Sequence, residues 1–305
     1  MKPIFNVPGC GAYAMLMGII SGYPIGAKIV TNFRENGMCS KEECERLLAF
    51  TNNSGPLFII GTVGISMFYN SLIGVLLFIT HLLACLTVGF IFRFWKREKV
   101  DLAYKSPKVR PLQRRIYSTS IQEQDRLSMY NNRNIDSRPA PTYKNDYSNV
   151  SFSNLGEVLS KAISSATSTI LMIGGFVVLF SVILSILENS NFISALSSAL
   201  EPIFNMFGIT NNSFVSGFVS GIIELTNGVQ KITAIPCREI STNIILSALL
   251  LGFGGISILL QVFSITSKTD ISIKPYIIGK ILHGILAAFY TYIFISYFPI
   301  FNLNI

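Results

Sequence analysis

Three short polar clusters interrupt an otherwise apolar chain, and they hold the side chains with the most chemistry to offer. Thr51-Asn52-Asn53-Ser54-Gly55-Pro56 lies between two hydrophobic runs. Asn52 and Asn53 each carry donors and an acceptor, and Ser54 adds a hydroxyl. Such groups suit a base edge, a ribose or a sugar; the structural alternative is that they cap the ends of an interrupted helix. Glu224-Leu225-Thr226-Asn227-Gly228 follows 22 residues without a charge, where a carboxylate is costly unless it is paired or used. Glu224, Thr226 and Asn227 are therefore candidates to hold a solute, a proton or a cation, the alternative being an ion pair of Glu224 with Lys231 or Lys28. Ser21-Gly22-Tyr23-Pro24 is the third break. Lys28, one turn beyond it, is placed to meet Glu224 or an anionic solute, or else to snorkel to the interface. The candidate solute-binding set is Ser21, Lys28, Asn52, Asn53, Ser54, Glu224, Thr226 and Asn227.

Enzyme signatures are missing. The chain has no HExxH, GxSxG, P-loop or DDxxD pattern, so no catalytic residue is assigned and an enzyme is not expected. Its five cysteines, Cys10, Cys39, Cys44, Cys85 and Cys237, show no CxxC spacing. They suggest neither a disulfide framework nor a metal site, and no cofactor is expected. The two histidines, His81 and His283, fall in long apolar runs, where hydrogen-bonded packing is the first reading and a proton relay the second.

The elements that must position these groups are membrane helices. Half the residues are hydrophobic and 13% are charged. Mean hydropathy is +0.51, and several uncharged stretches exceed the roughly 20 residues that cross a bilayer. Residues 71–95, 160–187, 240–265 and 276–298 read as spans, the third loosened at Gly252, Gly254 and Gly255. Ser40-Lys41-Glu42-Glu43 reads as a capping-box-like helix start. Residues 93–150 hold thirteen Lys/Arg against six Asp/Glu, and they lack helical periodicity. They read as a disordered basic linker on the cytoplasmic side, touching anionic lipid. Nucleic-acid binding by Arg110, Arg114 and Arg115 is not the expected use.

The chain also repeats itself. Residues 3–22 align without a gap on residues 202–221, with eight identities including Pro3/Pro202, Phe5/Phe204, Gly18/Gly217 and Gly22/Gly221. Each half then runs as a broken segment, an interrupted helix and a long helix. Duplicated, interrupted segments point to a central binding site in a transporter-like fold. If the broken segments cross the bilayer the halves are parallel; if they are re-entrant hairpins the halves are inverted. The inverted arrangement puts more Lys/Arg inside and fits better. Copy two is preceded by a span and an amphipathic stretch, whereas copy one begins at residue 3. The expectation is either an asymmetric architecture or further N-terminal sequence in relatives.

The strings LMGIISGYPIGAKIV, LLAFTNNSGPLFIIGTVG and GIIELTNGVQKI resemble the sporulation integral membrane protein YlbJ family, which carries a nucleoside-recognition (Gate) domain. That domain in turn resembles the core of concentrative nucleoside transporters. The resemblance implies a role in endospore formation, in assembling the spore envelope or cortex, and leaves the solute open.

The expectation is thus an all-α, polytopic membrane protein of the bacterial plasma membrane, with two internal, inverted repeats. Residues 1–95 form the first Gate-type repeat, 96–152 the linker, and 153–305 a connecting span with the second repeat. Its partners are the lipid bilayer, a small polar, nucleoside-like solute and a coupling ion (proton or sodium); the oligomeric state stays open. The alternatives are a non-transporting scaffold for the spore envelope and, further off, a flippase or enzyme for a lipid-linked precursor. Charge placement predicts that the linker and residues 298–305 lie on opposite sides of the membrane. Ser118→Cys and Asn304→Cys, in a background without native cysteines, are expected to label from opposite sides; labelling from one side refutes the inverted arrangement.

Overall fold

Gly22, Pro24, Pro56 and Gly254 stand at helix ends, and much of the architecture follows from those ends. A computed structural model describes residues 1–96, 152–236 and 241–297. The linker sequence from Arg97 to Ser151, with Ser118 and Arg110, Arg114 and Arg115, lies outside them, as do Cys237, Arg238 and residues 298–305. The first half comprises α1 (Lys2–Phe5), α2 (Gly11–Ser21), α3 (Ile25–Glu35), α4 (Lys41–Thr51), a π-helical segment (Leu57–Met67) and α5 (Ser71–Phe92). After the long α6 (Phe152–Asn189) come α7 (Phe192–Met206), α8 (Asn212–Ile223), α9 (Leu225–Thr233), α10 (Ser241–Phe253), α11 (Gly255–Thr266) and α12 (Lys274–Tyr297). The described residues contain no strand.

Residues Met1–Val100 with Thr167–Ile305 make one compact unit, and Asp101–Ala166 a second. The described part of the second is the start of α6, where Glu157 and Lys161 pair one turn apart on an exposed face.

Local chemistry accounts for most helix boundaries. At α4 the Ser40 hydroxyl accepts from the Glu43 amide (3.2 Å) while Glu43 accepts from the Ser40 amide (2.8 Å), a complete capping box. Asn52 leaves the helical region at the far end, and Pro56 opens the next segment. That segment is π-helical over eleven residues, a geometry usually limited to single turns and frequent at functional sites. The 240–265 stretch is one candidate span, and its loosening is a break. Gly254 sits at φ +90, where a side chain would be strained, and splits it into α10 and α11. In the second half the break is a single residue, Glu224, so Thr226 and Asn227 already belong to the first turn of α9.

α12 is central: it packs on α10, α5 and α4. Against α10 the approach is so close that a Cβ on Gly252 would stand 2.6 Å from the Gly284 backbone, the small-residue packing that lets membrane helices meet. Outside this core, only 11% of the most apolar window of α6 is buried, and Leu171, Val178 and Ile186 are open. An apolar face of that extent belongs in lipid. Among the described residues four helical stretches are long and apolar enough to cross a membrane, α10 and α11 counting together as one. Away from them, Arg34 grips Asp270 through two 2.7 Å hydrogen bonds. Hydrogen bonding from Arg34 holds the Asp270 carboxyl below the usual carboxylate range, so this contribution is present at neutral pH and fades as pH falls through the folded-state value.

The close approach of α10 and α12 carries a prediction. Gly252→Val forces backbone apart and is expected to cost about 3 kcal/mol, read as a lower melting temperature of the purified protein. Gly174→Val, where an added Cβ meets nothing within 4 Å, is expected to stay within about 0.5 kcal/mol of the wild type. Equal melting of the two variants would overturn the packing account.

Candidate functional site

The breaks, far apart in the sequence, converge. Together they border a cavity of about 380 Å³. Ser21 and Tyr23 come from the first break, Gly55 from the second, Glu224 and Thr226 from the third, and Ser257 and Gln261 from α11 just after the fourth. Phe58 and Thr62 of the π-helical segment and Phe176 of α6 complete a wall that is mostly apolar with a few polar groups, the usual make-up of a small-molecule site.

Glu224 is the best-placed of these. It is 2% exposed, and its carboxylate accepts from the amides of Thr226 (3.1 Å) and Asn227 (2.8 Å), capping α9. The positive end of α9 stabilises the negative charge. Neither proposed lysine partner reaches it. Lys28 donates to the Thr169 hydroxyl of α6 (2.5 Å), and Lys231 binds Glu188 of α6 and the Ser220 hydroxyl. Among the described residues no Lys or Arg forms an ion pair with Glu224. A carboxylate offers about four acceptor positions, and two amides leave the others available to the cavity. The same side chain thus caps α9 and borders the cavity.

The asparagine cluster lies behind the cavity wall. Asn52, Asn53 and Ser54 are each 1% exposed and tie the break to its neighbours. Asn52 donates to the Tyr276 hydroxyl (2.8 Å), accepts from the Ala27 amide (3.4 Å) through its side chain, and accepts from the Lys280 ammonium (3.3 Å) through its carbonyl. Asn53 donates to the Phe50 carbonyl (2.8 Å), and the Ser54 hydroxyl donates to the Leu251 carbonyl (3.4 Å) in α10. Asn227 faces α6, donating to the Ser181 hydroxyl (2.9 Å). Of the eight candidates, then, Ser21, Glu224 and Thr226 border the cavity, Asn52, Asn53 and Ser54 brace it, and Lys28 and Asn227 fasten α6.

Tyr23, Gln261, Tyr276 and Lys280 were not among the sequence candidates. Tyr23 stood inside a break motif. Lys280 had a readable signal, a lone charge inside the last apolar span. Gln261 and Tyr276 had none, being ordinary residues of apolar helices until packing turns them inward. The histidines meet: the His81 and His283 rings are 4.3 Å apart, and His283 Nε2 lies 3.0 Å from the His81 carbonyl, joining α5 to α12. No group of three or more potential metal ligands occurs among the described residues.

The bracing role of Asn52 is testable through its partner. Asn52→Ala and Tyr276→Phe are each expected to cost about 1–2 kcal/mol. The double variant is expected to cost clearly less than their sum, because both remove the same bond. Strict additivity in thermal melts would show that the pair does not interact.

A family described as Gate, nucleoside recognition, matches residues 170–298, from the middle of α6 through α12. The sporulation integral membrane protein YlbJ of Bacillus subtilis (strain 168) is 33% identical over 296 residues, covering 95% of this chain and 65% of that protein. The chain thus spans about two thirds of that relative's length, and no solved structure matches it. From the two likenesses and its apolar helices, the chain is a membrane-embedded protein that is similar over nearly its whole length to the sporulation integral membrane protein YlbJ, and its second half matches the Gate, nucleoside recognition, family.

Proposed function

We propose that the chain binds a small polar, nucleoside-like solute in the cavity where the broken helices meet and moves it across the plasma membrane during spore envelope or cortex formation. The observation that carries this reading is the Glu224 carboxylate, buried, without a cation among the described residues, and bordering a cavity of about 380 Å³. That volume falls within the roughly 300–1,000 Å³ of ordinary ligand pockets. Tyr23, Phe58 and Phe176 offer flat apolar faces for a ring. Glu224, Thr226, Ser257 and Gln261 offer acceptors and donors for hydroxyls. The proposal extends to a multi-pass chain with a cytoplasmic linker and inverted halves, as the charge pattern favours.

A second reading, a scaffold for envelope assembly that moves nothing, draws support from the asparagine cluster, whose groups brace helices away from the cavity wall. Solute binding separates the two. Purified protein in liposomes is expected to bind or take up a member of a nucleoside panel. Glu224→Gln is expected to weaken that binding about 10-fold or more while membrane abundance stays near normal. Binding by the variant equal to wild type removes Glu224 from the site, and no binding across the panel favours the scaffold.

A further inference from the structure

Lys280 is buried completely in the last long helix, and its surroundings point to a specific role. α12 packs against the C-terminal turns of α4 and α10. On one side a Cβ at Gly279 would stand 2.8 Å from the Ala49 carbonyl, in the last turns of α4, and Tyr276 holds Asn52 just beyond that helix's end. On the other side Gly284 lies against Gly252 in the last turn of α10, and the Lys280 Cε packs at 3.5 Å from where a Cβ of Gly254 would be. Between these two helix ends the Lys280 ammonium donates to the Asn52 carbonyl at 3.3 Å. Among the described residues no carboxylate forms an ion pair with it.

An ammonium buried without a carboxylate is stable only where fixed dipoles replace its hydration. Each helix C-terminus carries about half a negative charge, so two of them offset about one positive charge. In membrane proteins with discontinuous helices, unwound carbonyls and half-helix C-terminal ends are the groups that coordinate a free cation. We propose that Lys280 is the resident cation of this junction: its tethered ammonium occupies the monovalent-cation site formed by the ends of α4 and α10, so that no sodium ion is needed there. The charge that closes the core against the two helix ends is then part of the chain, and it travels with α12.

The test is chemical rescue in the full chain, purified in nanodiscs. Lys280→Ala removes the equivalent of propylammonium and is expected to lower the melting temperature by about 5 °C or more. Propylammonium at about 10 mM is expected to restore most of that loss by occupying the vacated site, whereas 1-propanol, of similar shape and uncharged, restores none. Rescue by both compounds would show a packing defect only, and rescue by neither would show no cation site; each result overturns the proposal. So does a Lys280→Met variant as stable as wild type. If Lys280→Ala does not fold, wild type melted in sodium and in choline at equal ionic strength decides. Equal melting is expected, and a saturable, sodium-specific stabilisation refutes a site filled by lysine. No readout involves a solute, so these outcomes stand apart from those of the proposed transport function.

Discussion

Backbone amides and carbonyls released inside an apolar core must be answered by the protein itself, because no water is there to do it. This constraint organises the molecule. Each interruption frees such groups, and near each one a polar side chain takes them up. Glu224 accepts from two amides at the start of α9. Asn53 and Ser54 donate to the Phe50 and Leu251 carbonyls near the ends of α4 and α10, and Lys280 donates to the Asn52 carbonyl. Asn243 donates to the Ile232 and Ile235 carbonyls at the end of α9. Because the Ser54, Lys280 and Asn243 bonds run between segments, meeting the requirement at one break also docks it against another element. The cavity bordered by the breaks is a consequence of that docking.

The ends of α4 are held in the same manner, which fixes its break from both sides. Near its start, buried Glu45 accepts from the Trp95 indole (3.3 Å), the Lys96 ammonium (3.1 Å) and the Ser272 amide (3.3 Å), while Arg46 donates to the Trp95 carbonyl (3.0 Å). The stretch after α5 and the loop before α12 are thereby tied to one helical turn. At its far end Asn52 reaches α12. The exposed Arg34–Asp270 pair, by contrast, sits where water competes and contributes little. Burial, rather than the number of ion pairs, decides which polar contacts shape this fold.

α6 stands apart from that network. Its links to the broken segments are polar and spaced along its length: Thr169 with Lys28, Ser181 with Asn227, and Glu188 with Lys231. Leu184 adds a small apolar contact with Ile193 and Val219. An element held by a few hydrogen bonds, with most of its apolar surface turned outward, shifts at less cost than one locked into a core. Phe176 of this helix borders the cavity, so a shift of α6 would change the shape of the site without disturbing α4, α10 or α12.

What the sequence determined by itself is local. Pro24, Pro56, Gly22 and Gly254 remove or relax main-chain bonding wherever they stand, so the positions of the first breaks, the capped start at Ser40 and the long apolar helices were legible without coordinates. The cost of a charge in lipid singled out Glu224 on the same grounds. The tertiary structure decided which way each polar group faces. Asn52, Asn53 and Ser54 turn inward as braces, Lys28 and Lys231 find partners on α6 instead of Glu224, and Gln261, Tyr23, Tyr276 and Lys280 enter the centre. The reason is that a helix ends because of its own residues, whereas its rotation and depth are set by packing against helices that lie, as α4 and α12 do, more than 200 positions apart in the chain.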